Sequence, residues 1–161
     1  MIIIVSGTPG TGKTTLSKKL AKALNYKYLD VAKLVKEEKL AESYDKKRKC
    51  FVVDTNKLNK KIIAKIKQNE NLIIDSHLSH YLPKKYVDLC IITKCNLKVL
   101  EKRLKNKHYS KQKIRENLDC EIFDVCFNEA KESGHKIIVV DTSKGIKIKS
   151  ILNSLRIAEG L

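Results

Sequence analysis

The chain has 161 residues, of which 42% are hydrophobic, so it is long and apolar enough for one domain with a hydrophobic core. Its 34 lysine and arginine residues against 18 aspartate and glutamate residues give a formal charge of +16, and the expected partners are therefore polyanions: nucleotides, RNA or an acidic protein. No apolar run approaches the roughly 18 residues that cross a bilayer. The opening Met1-Ile2-Ile3-Ile4-Val5 lacks a basic segment before it. We expect neither a secretion signal nor a membrane anchor.

The five cysteines do not form a pattern that binds metal or builds a disulfide framework. They stand at Cys50, Cys90, Cys95, Cys120 and Cys126, with no C-x-x-C pair and an odd total. We predict reduced, mostly buried thiols and a cytoplasmic protein.

Short apolar runs alternate with segments of helical spacing along the chain. The runs that predict buried strands are residues 2–5, 72–75, 89–92 and 137–140. Helices are predicted over 13–24 and 30–39, after a cap at Asp54 or Thr55, around Leu97, Leu100 and Leu104, as one helix through Ile114, Leu118, Ile122, Val125 and Cys126, and around Ile148 to Leu155. The polar residues 44–49 are predicted as a loop. This alternation indicates an α/β fold with a doubly wound parallel sheet.

The first strand leads into a motif that binds phosphate. Gly7-Thr8-Pro9-Gly10-Thr11-Gly12-Lys13-Thr14 matches G-x-x-x-x-G-K-[ST] between a predicted strand and a predicted helix. Its glycines allow the chain to bend around a phosphate, and the positive end of the new helix lies at the same place. We expect Lys13 to reach the β- and γ-phosphates, Thr14 to bind Mg²⁺ and Thr15 to contact the α-phosphate.

An acid follows the apolar run 72–74 at the carboxyl end of its strand. In open α/β sheets ligands bind at those ends, so Asp75 should face the same crevice as the phosphate loop. A carboxylate there holds Mg²⁺ directly or through water. His77 is a candidate for orienting a water molecule or contacting the transferred phosphoryl group, while His80, His108 and His135 receive no role. Lys13, Asp75 and His77 are thus the predicted catalytic residues.

Several motifs together resemble the adenylate kinase isoenzyme six family, which has archaeal members. They are the phosphate loop, Asp75-x-His77, Tyr44-Asp45 and Asn117-Leu118-Asp119-Cys120-Glu121-Ile122-Phe123. The resemblance runs from residue 1 to about residue 142. It implies a single P-loop kinase domain over 1–161, with a five-stranded parallel sheet flanked by helices and a short lid. It also implies a broad-specificity nucleoside monophosphate kinase, converting ATP and AMP to two ADP, that has ATPase activity and acts in late maturation of the small ribosomal subunit.

Position by position, the resemblance assigns ATP binding to Gly10, Gly12, Lys13, Thr14 and Thr15. Residues 30–53 would form the monophosphate-binding region and residues 106–116 the lid. The family has Arg-Gly-Tyr where Lys107-His108-Tyr109 stands here. Lys107 supplies charge to ATP without a planar fork, and Arg103 or Arg115 is an alternative source. The implied partners are nucleoside monophosphates, a small-subunit ribosomal protein and pre-ribosomal RNA.

Three functions stay open on the sequence. The first is a metabolic nucleotide kinase. The second is an ATPase switch in ribonucleoprotein assembly, which the charge of +16 favours because a nucleotide needs only a few cations. The third is a kinase for a small metabolite such as shikimate, against which the segment Cys120 to Phe123 argues.

Overall fold

The computed structural model of the protein describes residues 1–47 and 50–159. The strands are β1 (Ile2–Gly7), β2 (Lys27–Asp30), β3 (Ala41–Asp45), β4 (Cys50–Val53), β5 (Leu72–Asp75), β6 (Leu89–Lys94) and β7 (Ile137–Asp141). The helices are α1 (Lys13–Leu24), α2 (Val31–Glu37), α3 (Thr55–Lys67), α4 (Leu97–Asn106), α5 (Lys111–Ile122), α6 (Val125–Glu132) and α7 (Ile148–Glu159). Two 3₁₀ turns, Ser79–Tyr81 and Lys84–Tyr86, follow β5.

Five strands form a parallel sheet in the order β2-β5-β1-β6-β7. This confirms the predicted fold class. The register places Val5 opposite Asp75 and Gly7 opposite Thr93. The phosphate loop therefore begins at the carboxyl ends of the parallel strands, where β5 and β6 also end. Strands β2 and β5 lie on one side of β1, and β6 and β7 lie on the other, so β1 is at the topological switch point of the sheet.

The sheet is covered on both faces because its central strand is apolar on both sides. In β1, Ile2 and Ile4 pack against α2 and α3, while Ile3 and Val5 pack against α1 and α7. All six residues of β1 are buried. This three-layer packing holds the start of the phosphate loop rigidly, since burial of apolar surface is the dominant stabilising term in folding.

Three short strands, β2, β3 and β4, were not predicted from the sequence. Strand β2 was not predicted, because its four residues are polar or half-buried and carry no apolar run. Tyr44 and Asp45 were predicted in a loop, which is wrong: they belong to β3, which pairs antiparallel with β4. Tyr44 packs on Phe51 across this hairpin with ring centroids 5.3 Å apart. The rest of the predicted loop continues as a turn, and residues 48 and 49 lie outside the described residues.

The single helix predicted through residues 114–126 is also wrong. The chain breaks into α5 and α6 at Asp124, whose φ is 52°. Aspartate tolerates this left-handed conformation better than most residues, and its carboxylate forms an ion pair with Lys94 at the end of β6. The sequence has no glycine or proline at this position, and apolar residues keep their helical spacing across it. The break was therefore not predicted.

The cysteines are free thiols, as predicted, although only Cys90 and Cys95 are buried and the other three are half-buried. Within residues 1–47 and 50–159, none of the helices has the length and apolar character needed to cross a membrane.

Candidate active site

The phosphate loop connects β1 to α1 and has the backbone conformation that its glycines were predicted to allow. Gly7, Gly10 and Gly12 have φ values of 139°, 91° and 90°. At Gly7 a Cβ atom would lie 2.4 Å from the Thr93 hydroxyl oxygen, so only glycine fits. In the described part of the chain, α1 has no side-chain cap, whereas Asp30, Asp54, Asn96 and Ser110 cap α2, α3, α4 and α5. Its first N–H groups are thus left for a ligand.

Threonines fasten the loop to two neighbouring strands. The Thr11 hydroxyl oxygen lies 2.6 Å from that of Thr93 on β6 and donates to the Thr8 carbonyl at 2.6 Å. The Thr142 hydroxyl, just after β7, donates to the Thr11 carbonyl at 2.6 Å. These bonds are buried, where a satisfied hydrogen-bond network rigidifies the backbone. The loop is therefore preorganised.

Lys13 begins α1 and its side chain returns along the loop. Its Nζ donates to the Gly7 carbonyl at 2.8 Å and to the Thr8 carbonyl at 3.0 Å. Burial lowers the pKa of Lys13 to about 8, while the charges of Asp75 and Glu121 oppose that shift. Below that pKa the ammonium supplies the positive charge that phosphate oxygens need.

Asp75 ends β5 and is 7% exposed. The Tyr28 hydroxyl on β2 donates to its Oδ2 at 2.9 Å. Burial raises the pKa of Tyr28, and the neighbouring Asp75 carboxylate adds to the shift, so the phenol keeps its proton. Asp75 does not line the open cleft, but it lies close enough to Lys13 to raise the pKa of that ammonium.

The donor set fits a magnesium ion that arrives with a nucleotide. Thr14 is exposed at the start of α1, and Asp75 offers a carboxylate beside the loop. The described residues contain no group of three or more histidine, cysteine or acidic side chains that would hold a metal by themselves. Mg²⁺ commonly uses one or two protein oxygens together with substrate phosphates and water. Thr14 and Asp75 are the residues that would hold it.

His77 follows Asp75 at the rim of the cleft, with its side chain exposed. Partial desolvation, with the charges of Lys13, His80 and Lys113, lowers the pKa of His77, so its imidazole is neutral at pH 7. Its carbonyl accepts a long hydrogen bond of 3.4 Å from the Ser6 hydroxyl.

His80, to which the sequence assigned nothing, is a buried support for this segment. Its Nδ1 lies 2.7 Å from Ser6 Oγ, and its Nε2 lies 2.9 Å from a carboxylate oxygen of Glu129 on α6. Its carbonyl is 2.9 Å from Nε2 of His135. His80 thus links the strand before the phosphate loop to α6. Only the packing of residues far apart in sequence reveals this role.

These elements surround a cleft of about 690 Å³. The predicted residues that line it are Gly10, Gly12, Lys13, Thr14, Thr15, His77 and Lys107. Arg103 also lines it and donates to the Thr142 carbonyl at 2.8 Å and to the Thr142 hydroxyl at 3.1 Å. Arg115 instead pairs with Asp119 on the exposed face of α5 and does not line the cleft. Of the two alternative arginines, Arg103 is the one at the site.

One part of the cleft lining was not found from sequence. It consists of Thr142, Gly145 and Ile146, which follow β7. A signal did exist, because residues after the carboxyl end of a parallel strand face the ligand crevice. Asn106 and Lys107 also line the cleft, at the end of α4, where the predicted lid begins.

Comparison with known proteins agrees with this architecture. A family model described as an AAA domain matches residues 3–124. An adenylate kinase isoenzyme 6 homolog of Caenorhabditis elegans is 36% identical over 138 residues, which cover 85% of this chain and 76% of that protein. The chain belongs to the adenylate kinase isoenzyme 6 family. A homolog of the same description from Dictyostelium discoideum is 34% identical over 139 residues, covering 86% and 79% of the two chains. The family resemblance of the sequence motifs is thereby confirmed.

Solved structures similar to this family member share its fold and differ in substrate. Deoxyadenosine kinase from M. mycoides with bound dATP has a TM-score of 0.64 at 19% identity, covering 97% of this chain and 99% of that one. Shikimate kinase from Acinetobacter baumannii in complex with shikimate has a TM-score of 0.68 at 13% identity, covering 99% and 94%. At such identities the likeness establishes the P-loop kinase fold alone.

Proposed function

We propose that this member of the adenylate kinase isoenzyme 6 family is a nucleoside monophosphate kinase of broad specificity that also has ATPase activity. The observation that carries the proposal is the convergence on one cleft of the phosphate loop, Lys13, His77 and Arg103, with Asp75 beside them. Phosphoryl transfer asks a protein mainly for positioning and charge neutralisation, and these are the groups present.

In this proposal the triphosphate of ATP lies on the loop amides and the start of α1. Lys13 exchanges its two carbonyl partners for β- and γ-phosphate oxygens. Thr14 and Asp75 would hold Mg²⁺, which would supply further positive charge. Arg103 and Lys107 flank the rest of the nucleotide. A nucleoside monophosphate already carries an anionic oxygen, so transfer to it needs no general base. Residues 30–53 would bind the monophosphate, and residues 106–116 would exclude water as a lid.

The test measures ADP formation from ATP with Mg²⁺, alone and with AMP, GMP, CMP, UMP or shikimate. We expect AMP and other monophosphates to accelerate ATP consumption and to become diphosphates. The Lys13→Ala variant, purified in the same way, serves as the blank for contaminating kinases. Phosphorylation of shikimate alone, or no acceleration by any monophosphate, would refute the kinase proposal.

A role in maturation of the small ribosomal subunit is the second candidate, and the charge of +16 favours it. In that role the protein would act as an ATPase switch that contacts pre-ribosomal RNA and a small-subunit ribosomal protein. The same assay with small-subunit precursor particles separates the two. Stimulation by particles, in the absence of stimulation by AMP, would favour the switch.

His77 allows the two reactions to be distinguished within one site. We propose that its neutral imidazole orients the attacking water. His77→Ala should therefore lower ATP hydrolysis by about tenfold to a hundredfold while changing transfer to AMP by less than about threefold. Both rates are measured side by side on one preparation.

The matched control for His77 is His77→Gln, which keeps a hydrogen-bonding group of similar reach and should retain part of the hydrolysis. Equal losses of hydrolysis and transfer in His77→Ala would exclude the water-orienting role.

A further inference from the structure

Glu121 carries a buried carboxylate that contacts the phosphate loop. It lies near the end of α5 and is 6% exposed. The Thr8 hydroxyl donates to its Oε2 at 2.7 Å, and the backbone N–H of Cys95 donates to its Oε1 at 2.8 Å. One side chain thus joins the phosphate loop to the connection between β6 and α4, across separations of 113 and 26 residues.

Thr8 contacts two further residues of the phosphate loop through its backbone. Its carbonyl accepts hydrogen bonds from Lys13 Nζ at 3.0 Å and from the Thr11 hydroxyl at 2.6 Å. The Glu121 carboxylate therefore holds the side chain of Thr8, and the backbone carbonyl of Thr8 holds Lys13 and Thr11. Hydrogen bonds to a charged acceptor are about twice as strong as neutral ones. This contact therefore restricts movement of the phosphate loop more than a hydrogen bond between two hydroxyl groups would.

The charge of Glu121 is compensated locally. Lys94 Nζ lies 3.8 Å from its Oε1 and donates to its carbonyl at 3.3 Å. A buried carboxylate with a cation and two donors is satisfied, whereas an uncompensated one would be strongly unfavourable. The side chain of Glu121 therefore has both of its oxygens engaged next to the loop that is to receive an anion.

Glu121 also joins the loop to the helix that carries the proposed lid. Residues 106–116 include the first turns of α5, which begins at Lys111, and Glu121 lies in the last turn of the same helix. The hydrogen bond from Thr8 to Glu121 attaches the carboxyl end of α5 to the phosphate loop. Because α5 is a continuous helix, this bond also connects the loop to the amino end of α5, where the proposed lid lies.

We propose that Glu121 is a positioning residue that holds Thr8, and through it the phosphate loop, in the conformation that binds the triphosphate. The inference rests on the proposed nucleotide kinase function for its effect on turnover, but its effect on ATP binding can be measured separately. Preorganisation of this kind improves affinity because the loop loses less freedom on binding.

The test uses the whole chain and a fluorescent, non-hydrolysable ATP analogue. Glu121→Ala and Thr8→Val should each weaken binding about tenfold, the effect of losing one hydrogen bond to a charged group. In turnover assays the KM for ATP should rise while the KM for AMP stays within about twofold, a split that general loss of stability does not produce.

Two further variants sharpen the result. Glu121→Gln retains an oxygen for the Cys95 N–H and an amide that can donate to Thr8, so it should fold even if Glu121→Ala does not and should restore most of the affinity. The double variant Thr8→Val, Glu121→Ala should bind about as weakly as either single variant, because both changes remove one contact. The control is Asp119→Ala, on the same helix but exposed and paired with Arg115. Urea unfolding of each variant gives the stability.

Affinity within twofold of the Asp119→Ala control in both Thr8→Val and Glu121→Ala, or additive losses in the double variant, would overturn the proposal. If the wild type binds the analogue but phosphorylates no monophosphate, the kinase function fails while the positioning role is still supported or refuted by binding. A wild type that does not bind the analogue would overturn both.

Discussion

Lys13→Ala is expected to lower the kcat/KM for phosphoryl transfer by at least about 10²–10³-fold, the range found for loss of one well-placed charge-stabilising group. The ammonium lies among the loop carbonyls of Gly7 and Thr8, where the β- and γ-phosphates would replace them as partners. ATP hydrolysis should fall by a similar factor, since both reactions need the same charge. Steady-state assays with ATP and AMP measure the loss, and thermal unfolding checks that the fold is kept.

The control for this substitution is Lys22→Ala, an exposed lysine in the last turn of the same helix. It should leave turnover within about twofold, since exposed charges away from a site contribute little. Near-wild-type turnover of Lys13→Ala would remove Lys13 from the mechanism.

A pH series supplies a second readout for Lys13. Burial lowers its pKa to about 8, so the ammonium loses its proton as pH rises through that value, and ATP affinity should fall between pH 7.5 and 9.5. The pKa of the neighbouring Cys126 thiol is raised to about 11 by burial, so this thiol does not titrate in the range. Lys13→Arg stays charged and should show no such fall.

Asp75→Asn is expected to lower kcat/KM by about 10²–10³-fold at a fixed Mg²⁺ concentration. The amide keeps the shape of the side chain, and the Tyr28 hydroxyl can still donate to its oxygen, so the fold should survive. What is lost is the negative charge that would hold Mg²⁺ beside the loop. A titration of activity against Mg²⁺ should shift to higher concentrations in the variant.

Tyr28→Phe is the matched control for Asp75→Asn. It removes one neutral donor and keeps the carboxylate, a change of about 1 kcal/mol, so activity should fall by less than about tenfold. An unchanged Mg²⁺ dependence in Asp75→Asn would show that the carboxylate does not hold the ion.

The sequence was sufficient to predict elements that are defined by consecutive residues or by a continuous apolar run. The phosphate loop could be predicted because strand, glycines, Lys13 and helix follow one another within the first 24 residues. The strands β1, β5, β6 and β7 could be predicted because a sheet covered on both faces favours continuous apolar runs. The predicted burial is wrong for most of β7, which lies at the edge of the sheet and buries only Val140. At the carboxyl end of β5, Asp75 lies opposite Val5 in the register, two residues before the phosphate loop begins at Gly7.

Elements stabilised by few apolar contacts escaped prediction. Strand β2 lies at the sheet edge with half-buried residues, and the β3–β4 hairpin exposes Tyr44 and Phe51 on its surface. The break at Asp124 coincides with an ion pair between Asp124 and Lys94, and a pattern of apolar spacing carries no information about such a contact.

By itself the sequence determined the fold class, the phosphate loop and the family, because each is written in consecutive residues or in repeated apolar spacing. Only the tertiary structure decided which distant side chains support the loop. Glu121 reaches Thr8, His80 reaches Ser6 and Arg103 reaches Thr142 across 113, 74 and 39 residues. Such contacts depend on how the helices pack against the sheet. A single polar residue forms no periodic pattern, so its partner cannot be predicted from the sequence.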